Sequence, residues 1–142
     1  MIKVVALDIY GTVLCSDDYD NVMPPRAGTR ELFDLCQQHS IAVVSASDSD
    51  VAMTCLELQE AGISPELFAR HYQLNQLPFK DFSKILEDYG IEGSELLVIG
   101  DRDKDILGAQ AVHARFIRVP EYVGSKDSVN VCEIVREFLK TP

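Results

Sequence analysis

The sequence predicts an α/β chain built on a central parallel sheet with helices on both faces. Short, nearly continuous apolar runs recur along the chain, as parallel strands buried on both faces require. Segments with helical apolar spacing lie between them. No internal repeat, low-complexity tract or linker interrupts the alternation. Strand alternating with helix implies right-handed crossovers and a three-layer, Rossmann-like architecture.

The first strand is read at Val4-Val5-Ala6-Leu7, directly before Asp8. A helix follows on Leu32, Phe33 and Cys36, then a second strand at Ile41-Ala42-Val43-Val44. Val51, Cys55 and Leu58 mark the next helix, with Gly62 as its stop signal. A weaker strand is placed near His71–Leu74. Phe82, Ile85, Leu86 and Tyr89 share one helical face that ends at Gly90. Leu96-Leu97-Val98-Ile99 is the next strand, and Ile106, Ala109 and Val112 the next helix. Phe116-Ile117-Arg118-Val119 gives the last strand, and Val131, Ile134, Val135, Phe138 and Leu139 the last helix.

A chain of 142 residues fits one domain, residues 1–142. Such a length buries roughly two thirds of the surface its unfolded chain exposes. The formal charge of -10, from 23 acids against 13 bases, repels a phosphate backbone and argues against nucleic acid as a partner. A small phosphorylated substrate is not excluded, because a bound cation reverses the local field. No apolar run approaches the ~20 residues of a membrane span. The N-terminus lacks a signal-peptide pattern, so the chain is read as cytoplasmic and without a membrane partner. Cys15, Cys36, Cys55 and Cys132 form no C-x-x-C pair, which argues against a zinc or thioredoxin-like site. The last three fall on apolar helix faces and are read as buried thiols.

Ligands of open parallel sheets bind beyond the carboxyl ends of the strands. There the sequence places Asp8-Ile-Tyr-Gly-Thr12, Ser45-Ala-Ser and Gly100-Asp101-Arg-Asp-Lys-Asp105, with Lys80 before the third helix. Clustered carboxylates repel, and a hard divalent cation relieves the repulsion. Magnesium takes oxygen ligands and keeps several waters, so two or three carboxylates suffice. Asp8 could then attack phosphorus and form an aspartyl phosphate. Ser45, the amide of Ala46 and Lys80 would neutralise the phosphoryl oxygens.

These four motifs, in this order over Ile2 to about Val119, resemble those of the haloacid dehalogenase-like superfamily. The resemblance implies a magnesium-dependent hydrolase without a cap domain, loosely similar to the magnesium-dependent phosphatases. It implies Asp8 as nucleophile, with magnesium held by Asp8, Asp101, Asp105 and the Tyr10 carbonyl. Ser45 and Lys80 match the family's hydroxyl and lysine. Lys84 is the rival lysine but lies off the apolar face of its helix. Family members often carry a cap between motifs, and the spacings from Asp8 to Ser45 and from Ser45 to Lys80 leave no room for one. The substrate would be phosphorylated, small or macromolecular, and a homo-oligomer could cover the open site.

One position departs from the family pattern. Its phosphatases have Asp two residues after the nucleophile as general acid and base, and here Tyr10 stands there. Asp-x-Tyr-Gly-Thr resembles the dehalogenases proper, which lack the full acidic metal motif and carry a cap. Two alternatives therefore stand beside a phosphatase: a 2-haloacid dehalogenase-type hydrolase, and a binding or regulatory protein with weak or no activity. Asp17, Asp18 and Asp20 are read as a solvated loop that could supply a substitute acid. The whole Val13–Pro25 segment has the length of a functional or mobile loop. Ser47 or Asp48 is read as the start of the second helix. Asp103 is read as a helix N-terminal acid, and His39, His71 and His113 as surface or boundary residues.

Overall fold

A computed structural model describes residues 1–15, 23–74 and 77–140. Asp17, Asp18 and Asp20, and with them most of the Val13–Pro25 segment, lie outside the described residues. Five parallel strands form one sheet in the order β3-β2-β1-β4-β5. They are β1 (Val4–Leu7), β2 (Ala42–Ser47), β3 (Arg70–Gln73), β4 (Leu96–Gly100) and β5 (Arg115–Arg118). The helices are α1 (Thr29–Gln38), α2 (Val51–Ala61), α3 (Ser83–Tyr89), α4 (Asp103–Ala111) and α5 (Val131–Leu139). No cap domain lies between these elements among the described residues.

Burial explains the strand sequences. Every residue of the central strands β1 and β4 is buried, which accounts for their unbroken apolar runs. The edge strands β3 and β5 carry Arg70, Arg115 and Arg118, which keep their open edges charged. Alternation divides the core in two. Val5, Leu7, Val43, Leu97 and Ile99 pack under α1, α2 and α5. Val4, Ala6, Val44, Ala46 and Val98 pack under α3 and α4.

The expected elements are all present, with shifted ends. β2 begins at Ala42 and runs through Ser47, so neither Ser47 nor Asp48 starts a helix. Asp50 caps α2 instead, its side chain accepting from the Met53 amide at 3.0 Å. Gly62 and Gly90 end α2 and α3 in the left-handed conformation. Phe82 stands at the N-cap of α3 and is fully buried. Cys36 and Cys132 are buried, with burial pushing the Cys36 thiol up to about 12. Cys55 is only half-buried, because α2 lies with part of its apolar surface toward solvent. No described helix is long and apolar enough to cross a membrane.

Gly108 brings α4 against the Lys80 segment. A Cβ there would collide with the Lys80 carbonyl oxygen and crowd the Phe82 ring. Helix propensity favours alanine over glycine by about 1 kcal/mol, whereas overpacking costs about 1–3 kcal/mol. The obstacle here is backbone and gives little, so overpacking wins. Gly108→Ala should lower stability by about 1–2 kcal/mol in urea unfolding, where relief at an open helical glycine would raise it.

Candidate active site

The parallel register sets the site. Leu7 pairs with Ser45 on one side and with Ile99 on the other. Asp8 is therefore the first residue beyond β1, level with Ala46 and Gly100, and its amide still donates to the Ile99 carbonyl at 2.9 Å. By alternation its side chain stands on the α3/α4 face. There it meets Lys80, whose Nζ is 2.7 Å from Asp8 Oδ1 and 2.6 Å from Asp105 Oδ1. The same ammonium donates to the Ala46 carbonyl at 2.7 Å. Asp105 comes from the first turn of α4, and Asp101 from the turn between β4 and α4.

Thr12 completes the cluster. The turn after β1 folds so tightly that the amides of Thr12, Val13 and Leu14 all donate to the Ile9 carbonyl. This returns the Thr12 hydroxyl to within 3.0 Å of Asp8 Oδ2 and 3.2 Å of Asp101 Oδ1. Gly11 permits the turn with φ +87°, and a Cβ there would collide with the Asp101 carboxylate. Thr12 lies inside the Asp-x-x-Gly-Thr motif, yet the sequence reading gave it no role of its own.

Three buried or half-buried carboxylates face one ammonium. Burial first, and then the charge of Asp8, push the Asp101 carboxyl up to about 6. Burial and Asp8 also raise Asp105, against the opposing pull of Lys80. Burial draws Lys80 down, but Asp8 and Asp105 together outweigh it and its ammonium is held above the ordinary lysine range. Carboxylate oxygens of Asp8, Asp101 and Asp105 lie within 4.8 Å of one another. Oxygens around a magnesium ion with bonds near 2.1 Å stand about 3 Å apart when adjacent and about 4 Å when opposite. Asp105 Oδ1 is also buried without a hydrogen bond, paired only ionically with the Lys80 ammonium at 2.6 Å. Three clustered carboxylates carry more negative charge than one ammonium balances, which is what a hard cation would satisfy, so these residues fit magnesium.

The remaining predicted site residues divide. Asp8, Lys80, Asp101 and Asp105 come together as the sequence suggested. Lys84 is exposed and pairs with Asp88 at 3.1 Å, away from the cluster. Ser45 is buried on the opposite sheet face from Asp8, with its Oγ 2.7 Å from His71 Nδ1. The Tyr10 ring packs against the core under α2, its hydroxyl buried without a hydrogen-bond partner. Burial raises the phenol above its ordinary range; Thr54 and Glu57 lie nearby, the first opposing the shift and the second adding to it. The sequence reading also passed over two residues. His71, read as a surface or boundary residue, is half-buried as expected, but nothing in strand periodicity marks its bond to Ser45. Arg26, 1% exposed, donates to Asp127 at 2.8 and 3.0 Å and to the Thr12 carbonyl at 3.3 Å.

Known proteins agree with this architecture. The HAD-hydrolase-like family model matches residues 80–133, the stretch from Lys80 through Asp101 and Asp105 to the start of α5. No curated protein matches the chain. Among solved structures, a HAD-superfamily hydrolase of subfamily IA from Geobacter sulfurreducens PCA is 16% identical, with a TM-score of 0.70 over 96% of this chain and 100% of the other. A protein described as a predicted phosphatase from Clostridium acetobutylicum is 15% identical, with a TM-score of 0.75 over 99% of each chain. One described as a predicted phosphoglycolate phosphatase from Haemophilus somnus 129pt is 10% identical, with a TM-score of 0.76 over 96% and 98%. Identities this low speak for the fold, and the family match adds sequence evidence over residues 80–133. The chain has the fold of haloacid dehalogenase-like proteins along its described length and is similar to that family in sequence over residues 80–133.

Proposed function

We propose that the chain is a magnesium-dependent phosphohydrolase working through an aspartyl phosphate on Asp8. The observation that carries this reading is Asp8 itself: a carboxylate at the end of the central strand, oriented by Thr12 on one oxygen and Lys80 on the other. Asp8, Asp101, Asp105 and the Tyr10 carbonyl would hold magnesium, which when bound offsets the charge of the carboxylates and of a phosphoryl group.

Asp8 attacks phosphorus, the bond to the leaving oxygen breaks, and an aspartyl phosphate forms. Water then attacks phosphorus, releasing phosphate and restoring the Asp8 carboxylate. Lys80 neutralises charge on the α3/α4 side. Ser45 and the Ala46 amide approach from β2, so a phosphoryl group lying across the strand ends would be met from both sheet faces. Tyr10 stands where a general acid would serve, and a phenol with a pKa near about 10 or above gives up its proton poorly near neutral pH. Leaving groups that depart as anions suit such a site.

Two predictions follow from this chemistry and its electrostatics. Magnesium-dependent release of phosphate should be measurable on aryl or acyl phosphates, weaker on alkyl phosphates, and absent in Asp8→Asn. Tyr10→Asp should raise alkyl-phosphate turnover, by up to roughly 10²-fold, the lower end of general acid–base help. Equal native rates on alkyl and aryl esters would contradict the assignment of Tyr10. A protein without phosphatase activity whose partner binding survives Asp8→Asn would instead be a binding protein on this fold.

The second prediction concerns stability. An acid whose folded pKa is raised stabilises the protein only while protonated. For Asp101 that contribution is complete below its ordinary value of 3.8 and is lost as pH rises through about 6. Asp101→Asn should therefore raise the Tm of the metal-free protein at neutral pH and change it little near pH 4. Magnesium should raise the wild-type Tm by on the order of 3 °C or more at neutral pH and have little effect near pH 4. Comparing the two proteins removes the opposite contribution of acids held low by partners, such as Asp127. A neutral-pH Tm indifferent to magnesium would count against the site.

A further inference from the structure

Ser45 and His71 stand opposite each other in the β2–β3 register. Ser45 Oγ is 2.7 Å from His71 Nδ1, and His71 Nε2 is 2.8 Å from the Pro65 carbonyl oxygen. A carbonyl oxygen only accepts, so Nε2 carries the ring proton. Nδ1 of the neutral imidazole is then the acceptor, and Ser45 must donate to it. Serine has one proton. While His71 is neutral, Ser45 offers a phosphoryl oxygen nothing but lone pairs. Ser45 is 1% exposed, so bulk water does not supply the missing donor.

A cationic imidazole reverses the bond. Both ring nitrogens then donate, Nδ1–H to Ser45 Oγ and Nε2–H to Pro65 as before. The serine proton is released to turn toward the strand ends. We propose that His71 is a positioning residue that decides whether Ser45 donates a hydrogen bond to a bound phosphoryl group. The proposal rests on the reading of Ser45 as a phosphoryl-binding residue. In the exchange one proton is taken from solvent at Nδ1, the Ser45-to-Nδ1 bond is replaced by an Nδ1-to-Ser45 bond, and Ser45 gains a bond to phosphoryl oxygen.

The ring is held for this role. Phe68 packs on it with centroids 4.9 Å apart, and both nitrogens are engaged. The contacts from β2 and from the turn at Pro65–Leu67 are uncharged. The titratable groups on elements packed against β3 are Cys55, Glu57 and Glu60 on α2, Glu66 in that turn, and Arg70 and Tyr72 on β3 itself. Arg70 and Tyr72 are both engaged with Asp88. Among the described residues none of these groups hydrogen-bonds to the imidazole.

The test is the affinity of inorganic phosphate in the presence of magnesium, measured at about pH 6 and about pH 8, across the range in which imidazole changes charge. Phosphate and the carboxylates titrate alike in every variant, so ratios between variants remove them. Ser45→Ala should weaken binding about tenfold at the lower pH and less than about twofold at the higher. In a His71→Phe background the cost of Ser45→Ala should be the same at both. A readout on the wild-type protein guards against a misfolded variant: phosphate should raise the titration midpoint of the His71 ring in NMR, with the signal identified among three histidines by its loss in His71→Phe. A Ser45→Ala cost equal at the two pH values, no cost at either, or a His71 midpoint unmoved by phosphate overturns the proposal. The reading beneath it fails separately, if phosphate release survives Asp8→Asn.

Discussion

One ammonium group holds the strand ends together. Lys80, 4% exposed, joins Asp8 after β1, the Ala46 carbonyl in β2 and Asp105 in α4 through a single nitrogen. Taking an ammonium out of water is costly, and attraction to a single carboxylate often does not recover that cost. Two carboxylates and a carbonyl do better, because each adds its attraction to the same ammonium: hydrogen bonds to Asp8 and Ala46 and an ion pair with Asp105. The dependence is mutual. Without Lys80, Asp8 and Asp105 would be buried like charges, and stripping one partner from a buried ion pair commonly costs about 3–5 kcal/mol. The charge a phosphoryl group would meet is thus also the charge that lets two strands and a helix end side by side. Sharing it between two acids leaves Asp8 only partly neutralised, which suits the nucleophilic role proposed for it.

A second buried cation supports the first from the other side of β1. Arg26 grips Asp127 with two N–H groups and the Thr12 carbonyl with a third. Its guanidinium lies 5.5 Å from the centre of the Tyr122 ring. Tyr122 closes the arrangement, its amide donating to the Gly11 carbonyl and its hydroxyl to the Pro24 carbonyl, each at 2.7 Å. The segment between β5 and α5 therefore fixes the turn that aims Thr12 at Asp8 and Asp101. A planar, always-charged guanidinium suits this, since it meets carboxylate and carbonyl in fixed directions without titrating.

The fold was legible because the central strands are buried on both faces, so their residue choice is dictated by burial alone. Asp8, Asp101, Asp105 and Lys80 were legible for a related reason: charged residues placed just past such runs have few structural explanations. What escaped was the direction of side chains. The sequence does not say that Ser45, one residue before the position level with Asp8, turns to the other face of the sheet. Nor does a histidine on an edge strand announce a partner on the neighbouring strand, since that pairing depends on register. Arg26 was hidden between the Val13–Pro25 loop and the first helix, where a cation ordinarily means solvent. The start of α2 was misplaced because several residues in Ser47-Asp48-Ser49-Asp50 can cap a helix, and packing chose Asp50.

The two sheet faces also divide the chemistry. Asp8, Lys80 and Asp105 gather on the α3/α4 side, where charge balances charge. Ser45 and Tyr10 lie toward α2, where apolar packing dominates. Tyr10 belongs to that second environment: its ring fills space under the helix, and its hydroxyl is sealed from water. A carboxylate at the same position would face the same burial and the nearby Glu57, the influences that raise the phenol. Those influences would raise a carboxyl as well, toward the range in which it can hold a proton at neutral pH and release it to a leaving oxygen. The surroundings of position 10 would thus suit a carboxylic acid kept protonated, while the phenol in place is the weaker acid. Under the proposed aspartyl-phosphate chemistry, bond cleavage at phosphorus would then depend on how well the departing group carries its own negative charge.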